Sequence, residues 1–552
     1  MGVFEEKVLR GLDSESRQMV IDTVAQLKKK LFTKEKILEF DKREIFPETA
    51  IREMLGPDIG LQLLFIPEDY GGMGGGARDF CAVTREMSRI CLGIATAFFA
   101  VHLGADPLMV GGTEMQKEKW LGRIVEGDSL VAYAVTEPDA GSNLAALKTK
   151  ADPVTDEAGK VTGYRLNGTK QFISTGAYAD FVTVLANTPE GPSFFVVEKG
   201  APGYSQGKGE EKHGIRASNT SPLSFSDVYV PAENLIGAVP GRGLRQANEV
   251  FGYTRLMVAA MALGAVETAM EIAIAYARER IQFGLPLSEK QGYTHKLLVP
   301  HAVRLEAASA YIDEVAERLD SSDEDLQVEG SIAKLFTTES ANRAADDAIQ
   351  ALGGYGYIAE YQVEKIKRDV RITCIYEGTS EIQQSIIGTF RWRTTRKSKG
   401  RFYTSIAAEM ATLHEQTPNA GCASFAIAAR LLNETIMRAH DSGLIRQQYI
   451  LFTLADMMTH VEVGASLARK AVRLSRAGDS GAEKIRLMSR IFAEETGRLV
   501  CTNAARVLVG SGSMTADQAA EFFEVAGAES LVLAGFNVIR DMDAVADILF
   551  ER

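Results

Sequence analysis

Phe181-Val182-Thr183-Val184-Leu185 and, a few residues later, Ser193-Phe194-Phe195-Val196-Val197 are short runs of β-branched and aromatic residues set between Gly, Pro, Asn and Asp turns. The same texture extends from about Leu130 to Gly237 and predicts an all-β insert of roughly a hundred residues. On its N-terminal side, Met1 to about Ser129 reads as helical, with Pro47, Pro57, Pro67 and the glycine-rich Gly71–Gly76 as breaks. On its C-terminal side Gly243 opens a long helical stretch. There Ala259, Gly264, Ala269, Ala273 and Ala277 recur at helical spacing, as a seam of small residues for tight packing. Helices continue to about Phe390. The basic run Arg391–Arg401 then reads as a linker to a further helical block. The expected architecture is α+β and multidomain: a helical N-terminal domain (1–129), a middle β-domain (130–240), a helical bundle (241–390) and an additional helical C-terminal domain (391–552).

The bulk properties narrow the possible functions. A chain of 552 residues is too long for one ordinary core, and 46% hydrophobic with 24% charged residues is the composition of a soluble globular protein. A net charge of −12 argues against nucleic acid, which needs a basic surface to replace phosphate counterions. No apolar run approaches the roughly 18–20 residues that span a bilayer. Met1–Lys30 alternates charged and apolar residues and has no signal-peptide core, so a cytoplasmic or mature organellar protein is expected. Cys81, Cys91, Cys374, Cys422 and Cys501 form no CxxC, which predicts reduced thiols. The seven histidines show no ligand spacing, and no metal site is expected. Six of the eleven residues Arg391–Arg401 are basic, and with Trp392 they are a candidate for weak contact with anionic membranes, a solvated loop being the plainer reading.

One segment recurs. Lys334–Gly356 aligns without a gap on Arg490–Gly512, matching Phe336 to Phe492, Glu339 to Glu495, and Gly354 and Gly356 to Gly510 and Gly512. Duplication and the chance likeness of small-residue helices both account for it.

Five polar motifs stand out. In Ala134-Val135-Thr136-Glu137-Pro138-Asp139-Ala140-Gly141-Ser142-Asn143, a Thr hydroxyl and the N–H groups beside Gly141 can supply fixed donors; a strand ending in an acidic turn is the plainer reading. In Lys170-Gln171-Phe172-Ile173-Ser174-Thr175-Gly176, alternation puts Phe172 and Ser174 on one strand face, suited to packing on a ring or simply on a core. Tyr276-Ala277-Arg278-Glu279-Arg280-Ile281-Gln282-Phe283-Gly284 offers Arg280 for a bidentate phosphate contact. Gln350-Ala351-Leu352-Gly353-Gly354-Tyr355-Gly356 lacks the preceding strand of a dinucleotide fingerprint, but its glycines permit close approach of a ligand. In Ile375-Tyr376-Glu377-Gly378-Thr379-Ser380-Glu381, a carboxylate at the opening of a helix is a candidate general base.

In this order these motifs resemble the acyl-CoA dehydrogenase family, over about residues 20 to 390, and the last is almost that family's IYEGT sequence. The departures are Asn143 for the usual Asp, Phe172 for the common Trp, and Glu381 for a neutral residue. The resemblance implies a helical N-terminal domain, a β-domain and a four-helix bundle, FAD as cofactor, and α,β-dehydrogenation of an acyl-CoA thioester to the trans-2-enoyl-CoA. Glu377 would be the base and flavin N5 the hydride acceptor, and electrons would pass to an electron-transfer flavoprotein. It implies FAD contacts at Tyr133, Val135, Thr136, Gly141, Ser142, Phe172, Ser174, Arg280, Gln282, Phe283, Gln291, Gln350, Gly353, Gly354, Thr379 and Glu381, with Arg280 reaching the pyrophosphate in a neighbouring subunit. It implies substrate contacts at Ser142, Phe99, Arg255, Tyr376 and Gly378. Phe99 would form the floor of a short-to-medium acyl pocket on the helix around Gly93–Gly104. Arg255 would orient the active-site loop or serve in a structural ion pair. No acid accompanies Arg255 in Phe251–Arg255, so Glu377 has no competitor as base. The C-terminal block resembles the extension of the very-long-chain branch, which implies a homodimer. An acyl-CoA oxidase and a non-enzymatic assembly protein on the same fold are the rival readings.

Overall fold

The computed structural model describes residues 10–127, 129–533 and 535–552, so Met1–Leu9 and Asp128 of the expected N-terminal helical domain lie outside the described residues. Its contacts divide the chain into two compact units. The first comprises the chain up to Ala265 with Ala316–Gln327 and Arg368–Thr373; the second comprises Val266–Val315, Val328–Lys367 and Cys374–Arg552.

In the first unit the helices Ser14–Lys30, Lys34–Arg43, Glu48–Leu55, Ala77–Ile90, Leu92–Gly111 and Glu114–Val125 precede the sheet. Their starts follow capping chemistry: Asp13 accepts from Ser16 N, Thr33 from Lys36 N, and Thr113 forms a capping box with Gln116. Pro47 and Pro67 stand at the starts of helical turns, as the breaks predicted. The seven-stranded sheet contains β1 (Val131–Ala134), β2 (Lys150–Thr155), β3 (Val161–Ser174), β4 (Phe181–Thr188), β5 (Gly191–Glu198), β6 (Tyr204–Gln206) and β7 (Thr220–Pro231). Its order is β1-β4-β2-β3-β7-β6, with β5 paired on β4. The two runs that announced the sheet pair antiparallel, Leu185 opposite Phe194, while β1 runs parallel to β4. Val184, Phe195, Leu166 and Val228 fill its core.

Helix Leu92–Gly111 lies close against β1, because Gly104 has no side chain: a Cβ there would fall 2.7 Å from Val131 Cγ1, and the Gly104 carbonyl accepts from Thr183 Oγ1 at 3.0 Å. The small-residue seam of the long helix Gly243–Glu279 works the same way at Gly264, where a Cβ would stand 2.0 Å from the Arg85 carbonyl oxygen of helix Ala77–Ile90. Three helices, Leu92–Gly111, Gly243–Glu279 and Gln448–Ala477, are long and apolar enough to cross a membrane by length and composition, yet their apolar windows are 72–83% buried within the fold.

The second unit contains the helices Gln448–Ala477 and Ala482–Leu508, and most of Val299–Ser321 and Gln327–Leu352. The basic run does not form a linker. Helix Ser380–Lys397 runs through it, a short turn at Ser398–Gly400 follows with Gly400 at φ +83°, and helix Arg401–Gln416 begins at once. Arg391 is buried, donating to both Glu462 oxygens at 2.8 and 2.7 Å and pairing with Glu329 at 3.0 Å, while Tyr403 donates to Glu462 at 2.9 Å. Trp392 stacks obliquely near His440. A run of charges reads as solvated until tertiary structure supplies carboxylates for one of them, and here that one is Arg391; the run's other five basic residues are exposed and Trp392 is half-buried.

The recurring segment is a duplication. Residues 156 positions apart touch each other: Ser466 Oγ donates to the Ala310 carbonyl at 3.1 Å, and the rings of Phe336 and Phe492 meet edge to face at 5.6 Å. Equivalent positions contact themselves only near a two-fold axis, so the two helical copies pack as the two halves of an isologous interface would.

A Val at position 264 has no room against the Arg85 carbonyl. Gly264→Val is expected to cost about 1–3 kcal/mol through overpacking, read as a fall of roughly 4 °C or more in the melting midpoint.

Candidate active site

Each unit carries part of the expected machinery. In the first, the ends of β1 and β3 meet: Gln171 N donates to the Thr136 carbonyl at 2.9 Å, which joins the two flavin-like motifs. Phe172 follows directly, at φ +60° and 62% exposed, on a bulge where the β3–β7 register shifts between Lys170 and Ile173. Ile173 is buried and Ser174 half-buried, and the bulge interrupts the regular alternation on which a shared face for Phe172 and Ser174 was expected. Tyr133 packs on Phe194, Val135 is buried, Thr136 is half-buried, and Gly141 and Ser142 are exposed.

A buried ion pair fixes this corner. Glu137 accepts from Lys170 Nζ at 2.7 Å, Lys148 N at 2.6 Å and Thr149 N at 3.0 Å, and Lys170 Nζ also donates to the Val135 carbonyl at 3.0 Å. Burial pushes the Lys170 ammonium down to about 8, with Glu137 pulling the other way. Burial likewise opposes charge on Glu137, but the hydrogen bonds from Lys170, Thr149 and Lys148 outweigh it and hold the carboxyl below its ordinary value. Both groups are therefore charged at neutral pH. Phe99 and Arg255 also lie in this unit and are buried; Phe99 sits 6.0 Å from the His102 ring, whereas its neighbour Phe98 packs on Phe65.

In the second unit the decisive residue is strained. Glu377 has φ +56°, a left-handed conformation costing a non-glycine residue about 1–3 kcal/mol, and Gly378 follows at φ +90°. Three side-chain hydrogen bonds hold them there. Gln383 Nε2 donates to the carbonyls of Glu377 and Gly378 at 3.0 and 2.9 Å, and the fully buried Lys334 donates to the Gly378 carbonyl at 2.7 Å. Thr379 caps helix Ser380–Lys397 by accepting from Ile382 N, and Ser380 donates to Glu339 at 2.6 Å. Tyr376, Glu377, Gly378 and Thr379 are half-buried, and Glu381 is exposed.

Arg280 to Gln291 form a second feature of this unit. The hairpin β8 (Ile281–Gln282) and β9 (Leu285–Pro286) turns at Phe283 and Gly284, both at positive φ, with Phe283 95% exposed. Gln350, Gly353 and Gly354 are exposed at the end of helix Gln327–Leu352. Gln291, expected as a cofactor contact, donates one amide hydrogen bond to Asp543 of the C-terminal helix at 2.8 Å. Among the described residues no group of three or more His, Cys, Asp and Glu side chains is placed to hold a metal ion.

The residues fit a flavin dinucleotide. Gly354 has no positive φ and a Cβ there would meet nothing within 4 Å, while at Gly141 a Cβ would find only Thr136 Cγ2 at 4.0 Å; neither glycine is required by the chain's own packing or backbone. Space at those positions, with an exposed aromatic held in a strained conformation, is what close approach of a planar, phosphorylated ligand needs.

The comparisons agree. Residues 14–128 match the acyl-CoA dehydrogenase N-terminal domain, 132–228 the middle domain, and 241–390 the C-terminal domain, which matches again over 406–529. An acyl-CoA dehydrogenase of Bacillus subtilis (strain 168) is 39% identical over 357 residues, 63% of this chain and 91% of that protein. The structure of acyl-CoA dehydrogenase complexed with FAD from Bacillus anthracis is similar over 98% of this chain and 95% of that one, with a TM-score of 0.85 at 26% identity. Butyryl-CoA dehydrogenase from Megasphaera elsdenii covers 68% of this chain and 98% of its own length, at 35% identity and a TM-score of 0.64. The chain belongs to the acyl-CoA dehydrogenase family. It is an oxidoreductase whose cofactor is FAD, and its last helical block is a second copy of the family's C-terminal domain.

Reading the sequence missed the residues that hold the site. Glu137 and Lys170 lie within quoted motifs, yet nothing in their spacing announces a buried pair, and Lys334 was visible only as the start of the repeat. Lys170→Met strands a buried carboxylate and is expected to cost about 3–5 kcal/mol, with most of the loss recovered in the double variant Lys170→Met/Glu137→Leu, as read by denaturant unfolding of the two variants.

Proposed function

We propose that this enzyme removes the α-proton and β-hydride of an acyl-CoA thioester to give the trans-2-enoyl-CoA, with Glu377 as the base. The observation that carries this is the left-handed backbone at Glu377, held by Gln383 and by buried Lys334 through the carbonyls of residues 377 and 378. Strain of this kind persists only where surrounding structure over-determines it, and here the backbone at Glu377 and Gly378 is held through its carbonyls. The Glu377 N–H would polarise the thioester carbonyl and acidify the α-carbon, and the carboxylate would take and hold the proton. When bound, FAD supplies the acceptor for the β-hydrogen. Thr136, Phe172 and Ser174 would line its ring system, and Arg280, Gly353 and Gly354 its phosphates and ribose. Electrons would leave to an electron-transfer flavoprotein.

The reading extends to fatty-acid β-oxidation in a homodimer. The second copy of the C-terminal domain lies against the first within one chain, on the self-complementary face a further subunit would use, which favours assembly stopping at two chains.

Glu377→Gln is expected to retain the yellow FAD spectrum and acyl-CoA binding while losing at least about three orders of magnitude in kcat; turnover within about tenfold of wild type removes Glu377 from the mechanism. For the acyl group, Phe99 is proposed as the floor of a short-to-medium pocket. Each methylene it excludes forfeits about 0.8 kcal/mol of burial, so Phe99→Gly should shift kcat/KM toward longer straight chains by severalfold per added pair of carbons. An unchanged chain-length profile places the floor elsewhere.

A further inference from the structure

Hairpin β8–β9 has two residue pairs and almost no core of its own: Ile281 is 61% and Phe283 95% exposed. A two-stranded hairpin of this size is at best marginally stable alone, so its shape depends on what holds its ends. Both ends are held by one element, the C-terminal helix Val538–Phe550. Before the hairpin, Arg278 Nη2 donates to the Leu549 carbonyl at 3.0 Å in the last turn of that helix, with its guanidinium 6.0 Å from the Phe550 ring and 3.4 Å from Glu551. After the hairpin, Asp543 Oδ1 accepts from Gln291 Nε2 at 2.8 Å and lies 3.2 Å from His295 Nε2. The helix is itself seated in the second copy of the C-terminal domain: Val545 and Ala546 are buried, and Asp541 pairs with Arg490 at 2.8 Å.

We propose that the C-terminal helix is a clamp that sets the FAD affinity of the hairpin, with Asp543 as the positioning residue acting through Gln291 and His295. The proposal rests on the reading of Arg280–Phe283 as the segment that grips the phosphate end of FAD. Arg280 must keep a fixed approach to a phosphate for a bidentate contact, and a hairpin released at either end loses that direction without losing the arginine. The exposed Arg278–Glu551 pair contributes little by itself, because water screens it. Asp543 accepts a hydrogen bond from Gln291 Nε2 at 2.8 Å on a charged acceptor, with His295 Nε2 3.2 Å away, and is the residue at the centre of the clamp. The second domain copy thereby has a task in the first copy's cofactor site, although it carries no counterpart of the Glu377 segment.

The test is the rate at which FAD leaves the full-length holoenzyme, followed by the rise of free-flavin fluorescence on dilution. Asp543→Ala should speed release about tenfold, with the melting midpoint of the flavin-stripped chain within about 2 °C of wild type. In a Gln291→Ala/His295→Ala background the same substitution should have no further effect. Arg278→Gln, which frees the other end, should act in the same direction and serves where Asp543→Ala fails to fold. Unchanged release in Asp543→Ala, or an undiminished tenfold effect in the double background, overturns the clamp. Arg280→Ala separates the two ideas: if it leaves release unchanged, the phosphate reading of the hairpin is wrong, whereas faster release in Arg280→Ala beside unchanged release in Asp543→Ala sinks the clamp alone.

Discussion

A left-handed glutamate followed by a left-handed glycine is the constraint on which the loop ahead of helix Ser380–Lys397 turns. Glu377 and Gly378 do not adopt φ +56° and +90° by preference, and the loop would relax without the donors that fill its two carbonyls. Those donors come from different directions, Gln383 from the helix that the loop opens and Lys334 from inside helix Gln327–Leu352. Glycine at 378 suits the conformation, at φ +90°, and a Cβ there would fall 2.7 Å from Gln383 Nε2 and displace that donor. Burying a lysine is unfavourable unless its charge meets an acceptor, and the Gly378 carbonyl is one. The cost of that burial is what makes the arrangement specific.

The first unit uses the same device. Lys170, also fully buried, bridges the Val135 carbonyl and Glu137, and so draws the end of β1 against β3 where Thr136 and Phe172 stand. In both places the residue proposed to meet the cofactor or substrate is half-buried or exposed, and a hidden ammonium fixes the backbone behind it.

The duplicated helical domain adds a second layer. A copy that lacks the catalytic segment would be expected to drift, yet it is tied to the first by Arg391 with Glu329 and Glu462, by Arg304 with Glu495, and by the ring contact of Phe336 with Phe492. Buried and half-buried pairs of this sort penalise alternative packings more than they add to stability, so they fix how the two copies meet.

Local patterns were enough for the outline. Short β-branched and aromatic runs around Phe181 and Phe195, proline and glycine breaks before Ala77, and five motifs in order gave the helical, β and helical succession and pointed to Glu377 and FAD, because each of these depends on residues near one another in the chain. Tertiary structure decided what distant residues do to one another. It buried Arg391 in a run that reads as solvated, turned the supposed linker into a helix, and bent β3 at Phe172. It gave the Gln291 amide to Asp543, 252 residues away, and set Lys334 and Lys170 behind the site. Charge runs and lone lysines carry no signature of burial in sequence, since the acceptor that makes burial tolerable is supplied only when the fold brings it there.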